Sequence, residues 1–322
     1  MGSFPAQYVQ RVPALEAEIH RPLVEEILEL KKSKKAVILA HTYQSPEIYF
    51  GVADIRGDSL QLAREAMLVQ GAERIVLCGV KFMAETAKIL NPDRTVLLPD
   101  LRAGCSMANS ITAADVRALR EQHPGCPVVS YVNTNADVKA ETDICCTSSN
   151  AVRVVESLGA SKIIFLPDPH LGRWVQSQVP GVEMVLWDGP CEVHVEFTAE
   201  KIRELKEIDP ELYVMVHPEC NTEVIREADF TGSTSGMIKH IGEKKLKRIA
   251  LITECSMGAN ITEMYPGTEV IRPCNLCPHM QRITLEKVRD CLLHDQFEIE
   301  IEESIRARAQ SSLTRMLEVG AG

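Results

Sequence analysis

VILAHTYQS (37–45), VVSYVNTNA (128–136) and YVMVHPECN (213–221) are three versions of one stretch, an apolar run that ends in hydrogen-bonding residues. Superimposed by hand, they put His41, Tyr131 and His217 in one column and Tyr43, Asn133 and Glu219 in the column two residues on. Short apolar runs of this kind, bounded by turn residues, read as strands buried on both faces of a parallel sheet. A second column follows each strand: Ser59 closing GDS, Ser148 and Ser149 in CTSSN, and Ser233 and Thr234 in TGSTSG, each leading into a helix. The strongest recurrence is a cysteine. Cys105, Cys191 and Cys277 are spaced evenly (191 − 105 and 277 − 191 both give 86), and each follows a short apolar run: TVLLPD, EMVLWDG and EVIRP. Gly104, Gly189-Pro190 and Pro278 set these cysteines in turns.

Working outward, β-branched runs alternate with helical segments from residue 36 on, the pattern of parallel α/β units. The first set is AVILAH (36–41), RIVLCGV (74–80) and TVLLPD (95–100), with helices at about 52–70 and 82–90, the latter stopped by Asn91-Pro92. The second is PVVSYVN, DICCTS, KIIFLPD and EMVLWD, with NAVRVVESLG as an intervening helix capped by Gly159. The third is LYVMVH, DFTGST, RIALITE and EVIRP, preceded by a charged helix at 198–208. The expected fold is α/β: three pseudo-threefold-related αβα domains with short parallel sheets and the active site at their junction. The expected divisions are 1–35 (N-terminal helical), 36–110, 111–196 and 197–279 (the repeats) and 280–322 (two C-terminal helices bracing the rest). In open parallel sheets, ligands bind beyond the carboxyl ends of strands, where all the polar columns and the three cysteines fall.

With 322 residues, 45% hydrophobic and 25% charged, the chain has the composition of a globular protein large enough for two or three cores. Its longest apolar runs, such as AVILA and IALI, are strand-sized, far short of the roughly 20 residues of a membrane span. The first residues carry no basic region followed by an apolar stretch, so a cytoplasmic location is expected. A formal net charge of −10, with basic runs only at 31–35 and 244–248, argues against a nucleic-acid partner. Eleven cysteines in a reducing compartment point to metal or redox chemistry for some of them, while others, such as Cys78 in RIVLCGV, read as small buried hydrophobes.

Three converging thiolates suit a metal. Structural zinc takes four ligands, often as two C-x-x-C pairs, and this chain has one such pair, Cys274 and Cys277. An iron-sulfur cubane is ordinarily held by four cysteines; held by three, it leaves one iron open as a Lewis acid. Cys274 remains a spare ligand, a redox partner or an inert neighbour.

The stretches HTYQ (41–44), GDS (57–59), CGVKFMAETAKILNP (78–92), AGCSMAN (103–109), YVNTNADVKAETDICCTSSNA (131–151), CEVH (191–194), HPEC (217–220) and CPHM (277–280) resemble those of quinolinate synthase, the A protein of bacterial NAD biosynthesis. The resemblance covers nearly the whole repeat region. It implies a 4Fe-4S cluster carried by Cys105, Cys191 and Cys277, with an open iron. It implies condensation of iminoaspartate with dihydroxyacetone phosphate to quinolinate, with loss of phosphate and water, and functional coupling to an L-aspartate oxidising enzyme. Two carboxylates and a phosphate call for donors, which Ser59, Tyr131, Asn133, Ser148, Ser233 and Thr234 offer. Isomerisation, ring closure and dehydration call for acids and bases. Glu219 is expected as a general base, His41 and Tyr43 at the ketone or hydroxyl being rearranged, and His194 and His217 at substrate anions or in proton relay.

Overall fold

The computed structural model describes Tyr8 and residues 10–319. The strand runs build three short parallel four-stranded sheets. The first contains β1 (Ala36–His41), β2 (Ile55–Gly57), β3 (Arg74–Cys78) and β4 (Thr95–Leu97), in the order β2-β1-β3-β4. The second contains β5 (Val128–Tyr131), β6 (Ile144–Cys146), β7 (Lys162–Leu166) and β8 (Glu183–Leu186), in the order β6-β5-β7-β8. The third contains β9 (Tyr213–Val216), β10 (Phe230–Thr231), β11 (Arg248–Ile252) and β12 (Glu269–Ile271), in the order β10-β9-β11-β12. One strand order is used three times. In each sheet the order reverses between the first and third strands, the place where loops leaving the carboxyl ends of an open parallel sheet diverge.

The chain folds as two compact units, one built of residues up to 104, 254–269 and 276–300, the other of 105–253, 270–275 and 301 onward. In the first unit, Ile38, Leu39 and Ala40 of β1 are wholly buried, as a sheet covered on both faces requires. The helix Ala14–Ser33 packs on β1 and on the helix Leu285–His294, which also touches β3. The open edge of β4 is closed by the segment that follows: Ile299 N donates to Val96 O at 2.8 Å and Leu98 N to Phe297 O at 3.1 Å.

One element departs from the sequence reading. The helix expected at 52–70 is the helix Ser59–Leu68, and Ile55–Gly57 ahead of it is β2, paired in parallel with β1 from Leu39↔Ile55 to His41↔Gly57. Three residues are too few to show a period, so pairing with β1 decides their state.

The second unit holds the other two cores. Val128, Val138, Ile164 and Leu166 pack together with Ile111 and Val116. Val214, Val216, Ala250 and Ile252 pack with Phe197, Ile202 and Val224. Each fully buried aliphatic side chain of this kind contributes about 1.5–3 kcal/mol. Gly159 ends the helix Ala151–Leu158 at φ +58°, the left-handed cap that glycine favours. The last helix, Glu303–Val319, packs on β6 and on the helices Ala136–Ala140 and Ala151–Leu158, so the two C-terminal helices serve different units. Among the described residues, no helix is long and apolar enough to cross a membrane.

Candidate functional site

Tyr131 and His217 of the first-strand columns meet in the second unit around one carboxylate, Glu219. Glu219, three residues past β9, is buried and accepts a 2.6 Å hydrogen bond from the Tyr131 hydroxyl at the end of β5. His194 Nδ1 lies 2.8 Å from the other carboxylate oxygen and 3.2 Å from Cys191 Sγ, while its Nε2 is 2.9 Å from Thr253 Oγ1. The His217 ring packs against that of His194 at 4.8 Å, with its Nδ1 3.8 Å from Glu219. Burial alone would raise the Glu219 carboxyl. The positive charges of His217 and His194, with hydrogen bonds from His194 and Tyr131, outweigh burial and hold it well below the usual carboxylate range.

The loop that carries Tyr131 and Asn133 is fixed from beneath by a fully buried lysine. Lys139 Nζ donates to Val132 O at 2.8 Å and to Thr134 O. Asn133 is buried beside Met107, and its Oδ1 has no hydrogen-bond partner.

Two cysteine loops lie side by side in this unit. Glu192 N donates to Ser106 Oγ at 3.2 Å, so residues one repeat apart, each next to its cysteine, touch. Gly189 makes the approach possible, because a Cβ there would stand 2.0 Å from Ser110 Oγ. Burial pushes the Cys191 thiol well up, and the negative charges of Glu219 and Cys105 add to the rise. Asp168, just past β7, is wholly buried; its Oδ1 accepts from His170 N and Leu171 N, and its Oδ2 makes no full hydrogen bond. Burial and the Glu219 charge raise the Asp168 carboxyl strongly. Buried thiols, carboxylates and an imidazole at close range are a donor set that a bound cation relieves. Among the described residues, Cys191, His194 and Glu219 bring one ligand atom each to within 4.8 Å of one another, close enough to share a metal ion.

In the first unit, Tyr43 N donates to His41 Nδ1 at 3.1 Å and the two rings meet edge to face at 4.7 Å. Glu219 N makes the same bond to His217 Nδ1, at 3.4 Å, so the shared column is also a shared geometry. Asn260 Nδ2 ties down the turn by donating to Thr42 O and Gln44 O at 2.9 and 2.8 Å. Cys277 also belongs to this unit, and its backbone amide donates to Glu254 Oε1 at 3.3 Å. Burial pushes the Glu254 carboxyl up to about 7 against the lowering effect of that amide and of Ser256. Cys274 is disulfide-bonded, whereas Cys105, Cys191 and Cys277 are thiols.

Among the hydroxyls, Ser233 caps the helix Thr234–Lys244 by accepting from Gly236 N, and Thr234 is buried behind it. Ser235 Oγ lies 3.3 Å from both Ser233 Oγ and Ser149 Oγ, so Ser149 and Ser235, one repeat apart, meet; the neighbouring Ser148 is half-buried. Ser59 follows a cap made by Asp58, which accepts from Gln61 N. Sequence reasoning passed over Asp168, Thr253, Glu254, Asn260 and Ser235. A signal for two of them was present, since Asp168 and Glu254 end the third strands of their sets at the same 86-residue interval as the cysteines.

The family described as quinolinate synthetase A protein matches residues 25–318. Quinolinate synthase 2 of Mesorhizobium japonicum is 54% identical over 319 residues, covering 99% of this chain and 98% of its own length. Quinolinate synthase of Agrobacterium fabrum is 54% identical over 296 residues, covering 92% of this chain and 85% of its own, and that of Caulobacter vibrioides is 49% identical over 312. A family match across most of the chain, together with relatives sharing half its residues from end to end, makes this chain a member of the quinolinate synthetase A protein family.

Proposed function

We propose that this chain condenses iminoaspartate with dihydroxyacetone phosphate to quinolinate, with loss of phosphate and water, at a site that includes a 4Fe-4S cluster held by Cys105, Cys191 and Cys277. The observation that carries the reading is the buried Tyr131–Glu219–His194–Cys191 chain, in which an ionised base stands one imidazole away from a thiol. The raised Cys191 thiol, the Asp168 oxygen without a full hydrogen bond and the neighbouring Cys105 loop support a bound cation there. When bound, a cluster held by three cysteines supplies a Lewis acid that favours loss of the hydroxyl leaving as water.

The chain's own residues do the rest. Glu219, held ionised, takes the protons that ring closure must lose, and Tyr131 and His194 keep its oxygens aimed. His217 and His194 balance the substrate's carboxylates, while His41 and Tyr43 handle the ketone or hydroxyl being rearranged. Asn133, with its unpartnered Oδ1, together with Ser59, Ser148, Ser233 and Thr234, offers polar groups to carboxylate and phosphate. Iminoaspartate is the two-electron oxidation product of L-aspartate and hydrolyses readily as an imine. An L-aspartate oxidising enzyme in the same cytoplasmic compartment would supply it.

A second reading is favoured by one observation: Cys191, His194 and Glu219 could hold a single metal ion without Cys105 or Cys277. Anaerobic purification followed by iron and acid-labile sulfide analysis separates the two. The cluster reading expects brown protein with iron and sulfide in about equal amounts, and quinolinate formed from the two substrates. Metal without sulfide supports the single-ion site, and absence of quinolinate refutes the proposed reaction.

A further inference from the structure

We propose that Glu254 is the positioning residue for Cys277: its buried carboxylate clamps the Cys277 backbone amide and so sets where that sulfur stands. The inference rests on the reading of Cys277 as a metal ligand. Glu254 sits just past the end of β11, 1% exposed, and caps the helix Cys255–Met264 through Ser256 N at 2.8 Å. A closed ring of hydrogen bonds joins it to the cysteine. Cys277 N donates to Glu254 Oε1, Ser256 Oγ donates to the same oxygen at 3.2 Å, Gln281 Nε2 donates to Ser256 Oγ at 3.0 Å, and Gln281 N donates back to Cys277 O at 3.0 Å. Both backbone polar groups of Cys277 are thereby held, one of them by a group that is costly to leave unpaired when buried.

The repeat supplies an independent argument. Asp168 occupies the same place in the second set: just past the third strand, capping the next helix through the amide two residues on, and 23 residues ahead of its cysteine, as Glu254 is. The Cys191 amide lies close enough to Asp168 to favour its charge. In the first set the equivalent residue, 23 ahead of Cys105, is Phe82, which has no carboxylate. Two of the three cysteine loops therefore have a buried carboxylate at the same place, which the Cys105 loop lacks, and in the third set that carboxylate accepts from the cysteine amide.

The test compares wild type, Glu254→Ala, Glu254→Gln and Asp168→Asn as full-length chains purified without oxygen. Two rates are read: loss of iron to a chelator, and alkylation of each cysteine by iodoacetamide after iron removal, mapped by peptide mass. For Glu254→Ala, Cys277 should alkylate about tenfold faster, the scale of one lost bond to a charged group, with Cys105 and Cys191 unchanged and iron lost faster. Glu254→Gln, which keeps an accepting oxygen, should fall between Glu254→Ala and wild type. Asp168→Asn should accelerate Cys191 alone. If Cys277 reacts no faster in Glu254→Ala, or all three cysteines accelerate together, the positioning role is wrong. Wild-type protein without iron would refute the cluster while the alkylation rates still decide the role of Glu254.

Discussion

At the scale of single residues, the sharpest expectation concerns Glu219. Glu219→Gln keeps the shape and one accepting oxygen but cannot take a proton. It should retain iron at the wild-type level while quinolinate formation falls by about a hundredfold or more, the usual worth of a positioned base. Turnover at the wild-type rate would move the base elsewhere. The recurrence of His41, Tyr131 and His217 at strand ends was legible in the sequence, and the matching amide-to-Nδ1 bonds in two repeats show what that recurrence means physically. Asp168 and Glu254 escaped notice for an equally physical reason. They differ in type, Phe82 breaks the column in the first repeat, and a carboxylate after a strand reads as an ordinary helix cap until its second oxygen is followed.

At the scale of elements, the segment leading out of β4 is pinned by Asp100. This buried carboxylate accepts from Arg102 N at 2.9 Å, from the Arg102 guanidinium at 3.2 Å, and from Lys287 Nζ of the helix Leu285–His294 at 2.8 Å. Burial acts to raise its pKa, but the Arg102 and Lys287 bonds win and hold the carboxyl far below its ordinary value. A carboxyl depressed on folding stabilises the fold above the unfolded pKa, near 3.9, and that stabilisation is lost as pH falls through the folded value. Asp100→Asn should therefore cost about 1.5–3 kcal/mol near neutral pH. The gap in thermal midpoint between variant and wild type should close as the solution is acidified below about pH 4. A gap independent of pH would show that Asp100 acts through packing alone. Long elements such as Ala14–Ser33 were readable from pattern, whereas β2 was not, since a three-residue strand exists only by virtue of its neighbour.

At the scale of the whole molecule, the proposed cluster draws on three distant points of the chain. Cys105→Ala, Cys191→Ala and Cys277→Ala should each abolish brown colour, bound iron and activity, and Cys274→Ala should keep all three, since Cys274 is already committed to a disulfide. Cluster lost only in the last variant would overturn the ligand assignment. Chelation of iron from the wild type should likewise end turnover, with recovery on anaerobic reconstitution. The amino-acid sequence determined the threefold recurrence, the alternation of strand and helix and the even spacing of the cysteines, because period and interval are properties of a line of residues. Only the tertiary structure decided that Tyr131, His194, Thr253 and Glu219 meet, that Ser149 meets Ser235, and that a glutamate after β11 holds a cysteine amide. Such meetings depend on the strand order within each sheet and on which loops diverge at its reversal, and neither is written in the local pattern of apolar and polar side chains.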